Sequence, residues 1–211
     1  VIAVDLFCCA GGASRGLELA GFTVRGVDRE AQPEYPYPFT QGDALDEALD
    51  GADLVWASPP CQHFTAYKRR PNHVAPAENL ISAVREKLVA WGGAWIIENV
   101  PGAPLHDPVR LCGSMFGLDV QRHRMFETSF PVEQPACDHK RWAPRFPPAT
   151  NRTNLRKTVE VGVWRIPLET QRRAMGIDWM SLEKLSQAIP PAYAEWLGRR
   201  ARQHIEAKRA A

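Results

Sequence analysis

The stretch Ser58-Pro59-Pro60-Cys61-Gln62-His63-Phe64-Thr65 sets a thiol directly behind two prolines, just past the apolar run Leu54-Val55-Trp56-Ala57. A thiolate is a strong nucleophile, and a free thiol ionises near pH ~8.5 unless its surroundings shift it. Pro59 and Pro60 restrict the backbone before Cys61, which fixes the direction of attack. The plainer role of a buried structural cysteine fits Cys112 better. An acid for the same chemistry stands in Ile96-Ile97-Glu98-Asn99-Val100, where Glu98 ends a run so apolar that its carboxyl must be partly desolvated. Burial raises a carboxyl pKa and lets it hold or donate a proton near neutrality; a helix cap or core hydrogen bond is the plainer alternative. Arg122 and Arg124 alternate in Arg122-His123-Arg124-Met125-Phe126-Glu127, so on an extended strand both would share one face. Two guanidiniums could grip a phosphate or a base carbonyl, against the alternative of ordinary surface charge.

Three further positions end strand-like runs. Asp5-Leu6-Phe7-Cys8-Cys9-Ala10-Gly11-Gly12 places glycines just past a strand, where backbone can approach a ligand at a helix N-terminus. Its spacing is not the dinucleotide fingerprint, and a phosphate-binding lysine is absent. Asp28 ends Gly26-Val27-Asp28 and could accept from a ribose diol, while Asp43 in Gly42-Asp43-Ala44 could take an adenine amino group. Glycine, acid and acid at three strand ends describe a nucleoside pocket that demands no pyrophosphate.

Positioning these groups requires a strand–helix alternation, and the first half of the chain carries one. Val1–Phe7, Thr23–Asp28, Ala52–Ser58 and Ala94–Val100 read as strands; Ser14–Phe22 and Ala77–Gly93 read as helices closed by glycine. The alternation predicts an α/β fold, a largely parallel sheet with helices on both faces. From Ser129 to Trp164 prolines, arginines and tryptophans mix without period, as in a loop-rich insert, and helical character returns in Leu168–Gly176 and Pro191–Arg209. The expected organisation is a core over 1–128, an insert over 129–164 and a return to the core over 165–211.

With 211 residues, 45% of them hydrophobic and 24% charged, the chain suits one soluble domain with a real core. No apolar run approaches the roughly 18 residues of a membrane span, and the N-terminus lacks a signal peptide's basic leader. Five cysteines, two of them adjacent, suggest free thiols in a reducing cytoplasm. Zinc could draw on Cys112, Cys137 and His139, but their spacing matches no compact ligand pattern, so no metal is expected. The net charge of +2 hides an asymmetry: ten Asp/Glu against three Lys/Arg from Val1 to Pro60, and eleven Lys/Arg against five Asp/Glu from Val120 to Arg173. A basic second half suits nucleic acid, although the C-terminal arginines alone read better as a solvated helix face.

Taken in order, these motifs resemble the C5-cytosine DNA methyltransferase family in its compact, phage- or bacterial-like form. Asp5–Phe22 looks like its cofactor loop, Ser58–Gln62 its nucleophile loop, Glu98-Asn99-Val100 its carboxylate motif and Arg122-His123-Arg124 its paired-arginine motif. Leu168–Ile177 and Leu185–Gly198 look like its last two motifs. The resemblance implies a Rossmann-like fold and S-adenosyl-L-methionine as donor, with S-adenosyl-L-homocysteine as product. Phe7, Cys8, Cys9, Ala10, Gly11 and Gly12 would line the donor's amino-acid and ribose parts. Asp28 would bind the ribose, Arg29 would cover the adenine, and Asp43 with Ala44 would hold its edge. Pro60, Leu80, Gln187, Ala188 and Ile189 would complete the pocket.

The implied chemistry is addition of Cys61 to C6 of a flipped-out cytosine, with Glu98 on N3 and Arg124 on the base oxygen; Arg122 would assist. The implied partner is double-stranded DNA, bound by a monomer without a protein partner in a bacterial or phage-infected cell. Gln62, Lys140, Arg141, Arg145, Arg152, Arg156 and Lys157 are the residues available to DNA. Two departures stand out: Val120 where the family often has glutamine, and Gln187 where glycine-asparagine is common, which would alter base positioning and donor choice respectively. RNA cytosine methylation, transfer of a modified group from a donor analogue and a silent DNA-binding module are the alternatives. A nucleotide-dependent oxidoreductase lacks the expected glycine spacing.

Overall fold

Strands without a polar face belong in the middle of a sheet covered on both sides. The computed structural model describes residues 1–64, 79–137, 139, 142–144 and 156–210, with backbone alone at 142–144 and 156–157. Its main sheet has seven strands: β1 (Ile2–Leu6), β2 (Thr23–Asp28), β3 (Phe39–Gln41), β4 (Leu54–Ala57), β5 (Ala94–Asn99), β6 (Val109–Leu111) and β7 (Arg124–Thr128). Their spatial order is β3-β2-β1-β4-β5-β7-β6. Every residue of β4 and β5 is buried, which is why both read as unbroken apolar runs.

The first five strands in that order are parallel, as the alternation predicts. The edge pair is not. β7 runs antiparallel to β5, with Glu98 opposite Phe126, and β6 and β7 form a hairpin around 112–123. That loop holds only a 3-10 turn at Gly113–Phe116, with no crossover helix to reverse the direction. An antiparallel β7 presents its first residue, Arg124, where β5 presents its last.

Period-two alternation sends Ala3, Trp56 and Ile96 to one face and Val4, Val55 and Ile97 to the other. The first face is covered by α1 (Gly12–Leu19) and α5 (Pro191–Ala210), the second by α2 (Ile81–Trp91). α2 ends at Gly92, whose φ of 79° closes the helix in the left-handed conformation. The α1–α5 contact is backbone-close at Gly16, where an added Cβ would lie 2.1 Å from the Pro191 carbonyl oxygen. Gly16→Ala is therefore expected to cost about 1–3 kcal/mol, read as a lowered thermal midpoint. α2 is tied to β7 by a bidentate pair, Arg85 Nε and Nη2 each 2.7 Å from a Glu127 oxygen. Burial would push the Glu127 carboxyl up, but Arg85 and the His106 amide hold it below its ordinary value. Arg85→Met strands a buried carboxylate and should lower unfolding free energy by about 3–5 kcal/mol in urea. The pair's stabilisation is present above the ordinary glutamate value and fades as pH falls below it.

A third apolar cluster joins α3 (Leu168–Met175) and α4 (Leu182–Gln187), with Ile166, Ile177 and Met180, to Ala10 and Val120. Within the insert, Trp142–Pro144 and Arg156–Thr158 form a parallel two-stranded sheet, β8 and β9, where only loops are expected from sequence. The basic end of α5 is largely committed to its own surroundings. Arg199 pairs with Glu195, Arg202 with Glu206 and Arg209 with Asp53, and Arg200 stacks on Trp196. No described helix is long and apolar enough to cross a membrane.

Candidate active site

The chain leaves β1 toward β2 on one side and enters β4 on the other, so a crevice opens between the carboxyl ends of β1 and β4. The loop after β1 is strained there: Phe7 and Cys9 hold φ of 60° and 45°, and Gly11 holds 84°. Non-glycine residues in this region cost of order 1–3 kcal/mol each, and such strain gathers at ligand sites. Asp28 at the end of β2 fastens the loop, accepting from the Cys9 amide through Oδ2 and from the Glu30 amide through Oδ1, both at 3.0 Å. Asp43 follows β3; its Oδ1 accepts from the Leu45 amide and its Oδ2 lies 3.1 Å from Arg29 Nη2. The Leu45 amide and Arg29 hold the Asp43 carboxyl below its ordinary value, so it is ionised. Arg29 is exposed and bridges the ends of β2 and β3, and Ala44 is buried beneath them.

The C-terminal motifs close on the same loop. Gly12 lies where an added Cβ would be 2.7 Å from the Ile189 carbonyl oxygen, and Trp179 Nε1 donates to the Ala10 carbonyl at 2.8 Å. Pro60 and Leu80 are half-buried. Gln187 is exposed, whereas the carbonyls on either side of it are both occupied by Arg122.

The reactive groups meet at the ends of β4, β5 and β7. Asn99 Nδ2 donates to the Pro59 carbonyl at 2.9 Å, which pins the rigid proline turn to β5. Glu98 is buried, and Arg124 Nε lies 3.2 Å from its Oε1. Burial pushes the Glu98 carboxyl above its ordinary value, against the opposing pull of Arg124, Ser58 and Arg122. Cys61 is half-buried; burial and the Glu98 charge push its thiol up, while Arg124 and Arg122 pull it down. Thiol, acid and cation therefore feel one another's charge.

Arg122 does not share a strand face with Arg124, because β7 begins only at Arg124 and Arg122 sits at φ 36°. Its guanidinium donates to the Ser186 carbonyl at 2.6 Å and the Ala188 carbonyl at 2.8 Å, latching the C-terminal segment to the arginine motif. Burial and its cationic neighbour Arg124 pull Arg122 below its ordinary value, yet a guanidinium stays charged at neutral pH. Val120 is buried in the α3–α4 cluster and packs on Gly113.

Among the groups that sequence reasoning missed is a buried acid. Asp5, buried within β1, accepts from Ser14 Oγ at 2.5 Å, and that hydroxyl lies 2.7 Å from the Tyr35 hydroxyl. Burial raises the Asp5 carboxyl to about 7, opposed by Ser14 and reinforced by Asp28 and Glu98. Its Oδ1 has no hydrogen-bond partner among the described residues. An acid inside Val1-Ile2-Ala3-Val4-Asp5-Leu6-Phe7 was the available signal, since a carboxyl there must find a partner or a proton. Of the residues expected to meet DNA, Gln62 is exposed. Lys140, Arg141, Arg145 and Arg152 lie outside the described residues, and Arg156 and Lys157 are placed by backbone alone, in β9.

No protein-family model matches the chain, and neither does any curated protein. Solved structures do. One, described as a DNA modification methyltransferase encoded within an E. coli prophage, superposes with a TM-score of 0.64 at 14% identity, over 98% of this chain and 99% of that one. A DNMT2 variant from Spodoptera frugiperda gives 0.64 at 12% identity, over 95% and 99%. The S. pombe Dnmt2 methyltransferase gives 0.59 at 12% identity, over 94% and 97%. Over nearly its whole length, the chain has the Rossmann-like α/β fold of these methyltransferases.

Proposed function

We propose that this chain transfers a methyl group from S-adenosyl-L-methionine to C5 of cytosine in double-stranded DNA, leaving S-adenosyl-L-homocysteine. The observation that carries the reading is the Glu98–Arg124 pair at 3.2 Å, within electrostatic range of a thiol on a proline-stiffened loop. The donor set fits the methyl donor: two strand-end carboxylates for ribose hydroxyls and an adenine amino group, and a strained, glycine-bearing loop that lets backbone approach its methionine part. Phe7, Cys8, Cys9, Ala10, Gly11, Gly12, Asp28, Arg29, Asp43, Ala44, Pro60, Leu80 and residues 187–189 would hold it. When bound, it supplies an electrophilic methyl group on a sulfonium.

The protein's own groups then solve one problem, the weak nucleophilicity of cytosine C5. Cys61 gives its proton to solvent water and adds to C6 as thiolate, the displaced ring electrons reach N3 as Glu98 gives it a proton, and Arg124 binds the base oxygen. C5 gains enamine character. Once C5 is substituted its proton passes to solvent water, the C5–C6 double bond re-forms as the C6–S electron pair returns to Cys61, and N3 gives its proton back to Glu98. Attack on a ring face hidden by stacking requires the base to be flipped out of the duplex. The insert over 129–164, with Lys140, Arg141, Arg145, Arg152, Arg156 and Lys157, would grip the flanking DNA, and Gln62 would act at the flipped base's site.

Duplex DNA carrying 5-fluorocytosine tests the covalent step. With the methyl donor present, a denaturant-stable protein–DNA adduct is expected, because fluorine cannot leave as the proton does. Absence of an adduct on DNA, with one formed on structured RNA instead, would move the substrate to RNA. Absence on both would remove the mechanism.

A further inference from the structure

We propose that Cys112, His123, Cys137 and His139 form a tetrahedral zinc site that fastens the start of the recognition insert to the catalytic edge of the sheet. The four ligand atoms all lie within 4.8 Å of one another. His139 Nε2 is 3.1 Å from Cys112 Sγ, 3.1 Å from His123 Nε2 and 2.7 Å from Cys137 Sγ, and Cys137 Sγ is 3.6 Å from His123 Nε2. Zinc bonds of about 2.3 Å to sulfur and 2.0–2.1 Å to nitrogen place tetrahedral ligand atoms roughly 3.3–3.8 Å apart, so the cluster brackets one such ion. Two thiolates with two imidazoles are the ligand set of a closed, structural site, with no coordination position left for water.

The expectation of no metal rests on spacing along the chain, and the fold supplies the proximity that spacing hides. Cys112 follows β6, and His123 precedes β7 across the same hairpin. Cys137 and His139, two residues apart, come from the first part of the insert. The hairpin loop is rigid: the Gly113 amide donates to the Gln121 carbonyl at 2.8 Å, and the Tyr193 hydroxyl donates to the Arg122 carbonyl at 3.0 Å. Ser114 Oγ lies 3.1 Å from Cys112 Sγ and 3.8 Å from Cys137 Sγ, an outer-shell donor of the kind that stabilises ligated thiolates. Without a cation, imidazole nitrogens and sulfurs are pressed together with lone pairs to spare; one divalent ion satisfies all four. Three consecutive residues then serve three anchors: Arg122 the C-terminal segment, His123 the metal, Arg124 the acid.

The test is metal content of the intact chain, purified without chelator from zinc-supplemented culture. About one zinc per chain is expected by mass spectrometry, retained in His106→Ala and lost in the Cys112→Ser/Cys137→Ser double variant. Cobalt reconstitution of the wild type should give the intense visible bands of tetrahedral cobalt with thiolate charge transfer. In case the double variant fails to fold, maleimide labelling of the wild type reads the same site: Cys112 and Cys137 should be protected until chelator strips the metal. Absence of zinc and of the cobalt spectrum, zinc retained by the folded double variant, or a Cys112–Cys137 disulfide in place of metal would each overturn the site. None of these readouts depends on methyl transfer.

Discussion

Cys61→Ser is expected to lower methyl incorporation into duplex DNA by at least about 10³-fold, the scale of losing a covalent nucleophile. A serine hydroxyl at the same place ionises far above neutrality, so addition to C6 stalls. The proposed donor pocket lies mainly at the β1 loop and the ends of β2 and β3, so calorimetric binding of S-adenosyl-L-homocysteine should be unchanged. Full activity in the serine variant would mean that no bond to the base is needed. The wild-type pH profile carries a further signature. Burial and Glu98 push the Cys61 thiol above its ordinary value, so the thiolate fraction is small at neutral pH. Alkylation of Cys61 should climb about tenfold per pH unit across the neutral range and level off only above the ordinary thiol value of ~8.5, and methyl transfer should follow that limb only while Glu98 keeps the proton that N3 needs.

Glu98→Gln produces two effects of opposite sign, which makes it the more discriminating variant. The amide cannot give a proton to N3, so the maximal rate should fall by about 10²–10⁴-fold, the usual worth of a positioned acid. It also removes the negative charge that raises the thiol, so the rising limb of the pH profile should move to lower pH even as the plateau drops. Arg124→Met has the reverse influence on the limb: without the guanidinium the Cys61 thiol and the Glu98 carboxyl both rise, and the limb moves to higher pH. A Glu98→Gln profile that only scales downward, with its midpoint unmoved, would show that acid and thiol do not act on one another.

The parallel centre of the sheet was legible because strands buried on both faces leave nothing polar in the sequence, as in Leu54–Ala57 and Ala94–Ile97. Cys61 and Glu98 stood out for a related reason, one just past such a run and one within its end, whereas Asp28 and Asp43 were read from an acid close behind a glycine. Arg122 was read as a partner of Arg124 because alternation presumes an extended backbone, and a positive φ at a non-glycine residue leaves no mark in sequence. His123 was invisible for the same cause, its partners lying 14 and 16 residues away across a turn. Neither could Tyr35 be foreseen, since its hydroxyl reaches Ser14 only after β2 has packed beside β1. The β8–β9 pairing lies between short segments with no alternating pattern to announce it.

The latch from Arg122 to Ser186 and Ala188, together with Trp179 on Ala10 and Ile189 on Gly12, ties the loop after β1 to segments synthesised well after it. A ribosome that has delivered everything through β7 has produced Cys61, Glu98 and both arginines, yet not the carbonyls that Arg122 holds or the indole that caps Ala10. Under the proposed function, a product terminated at that point would carry the thiol and the acid without the segments that close on the loop after β1.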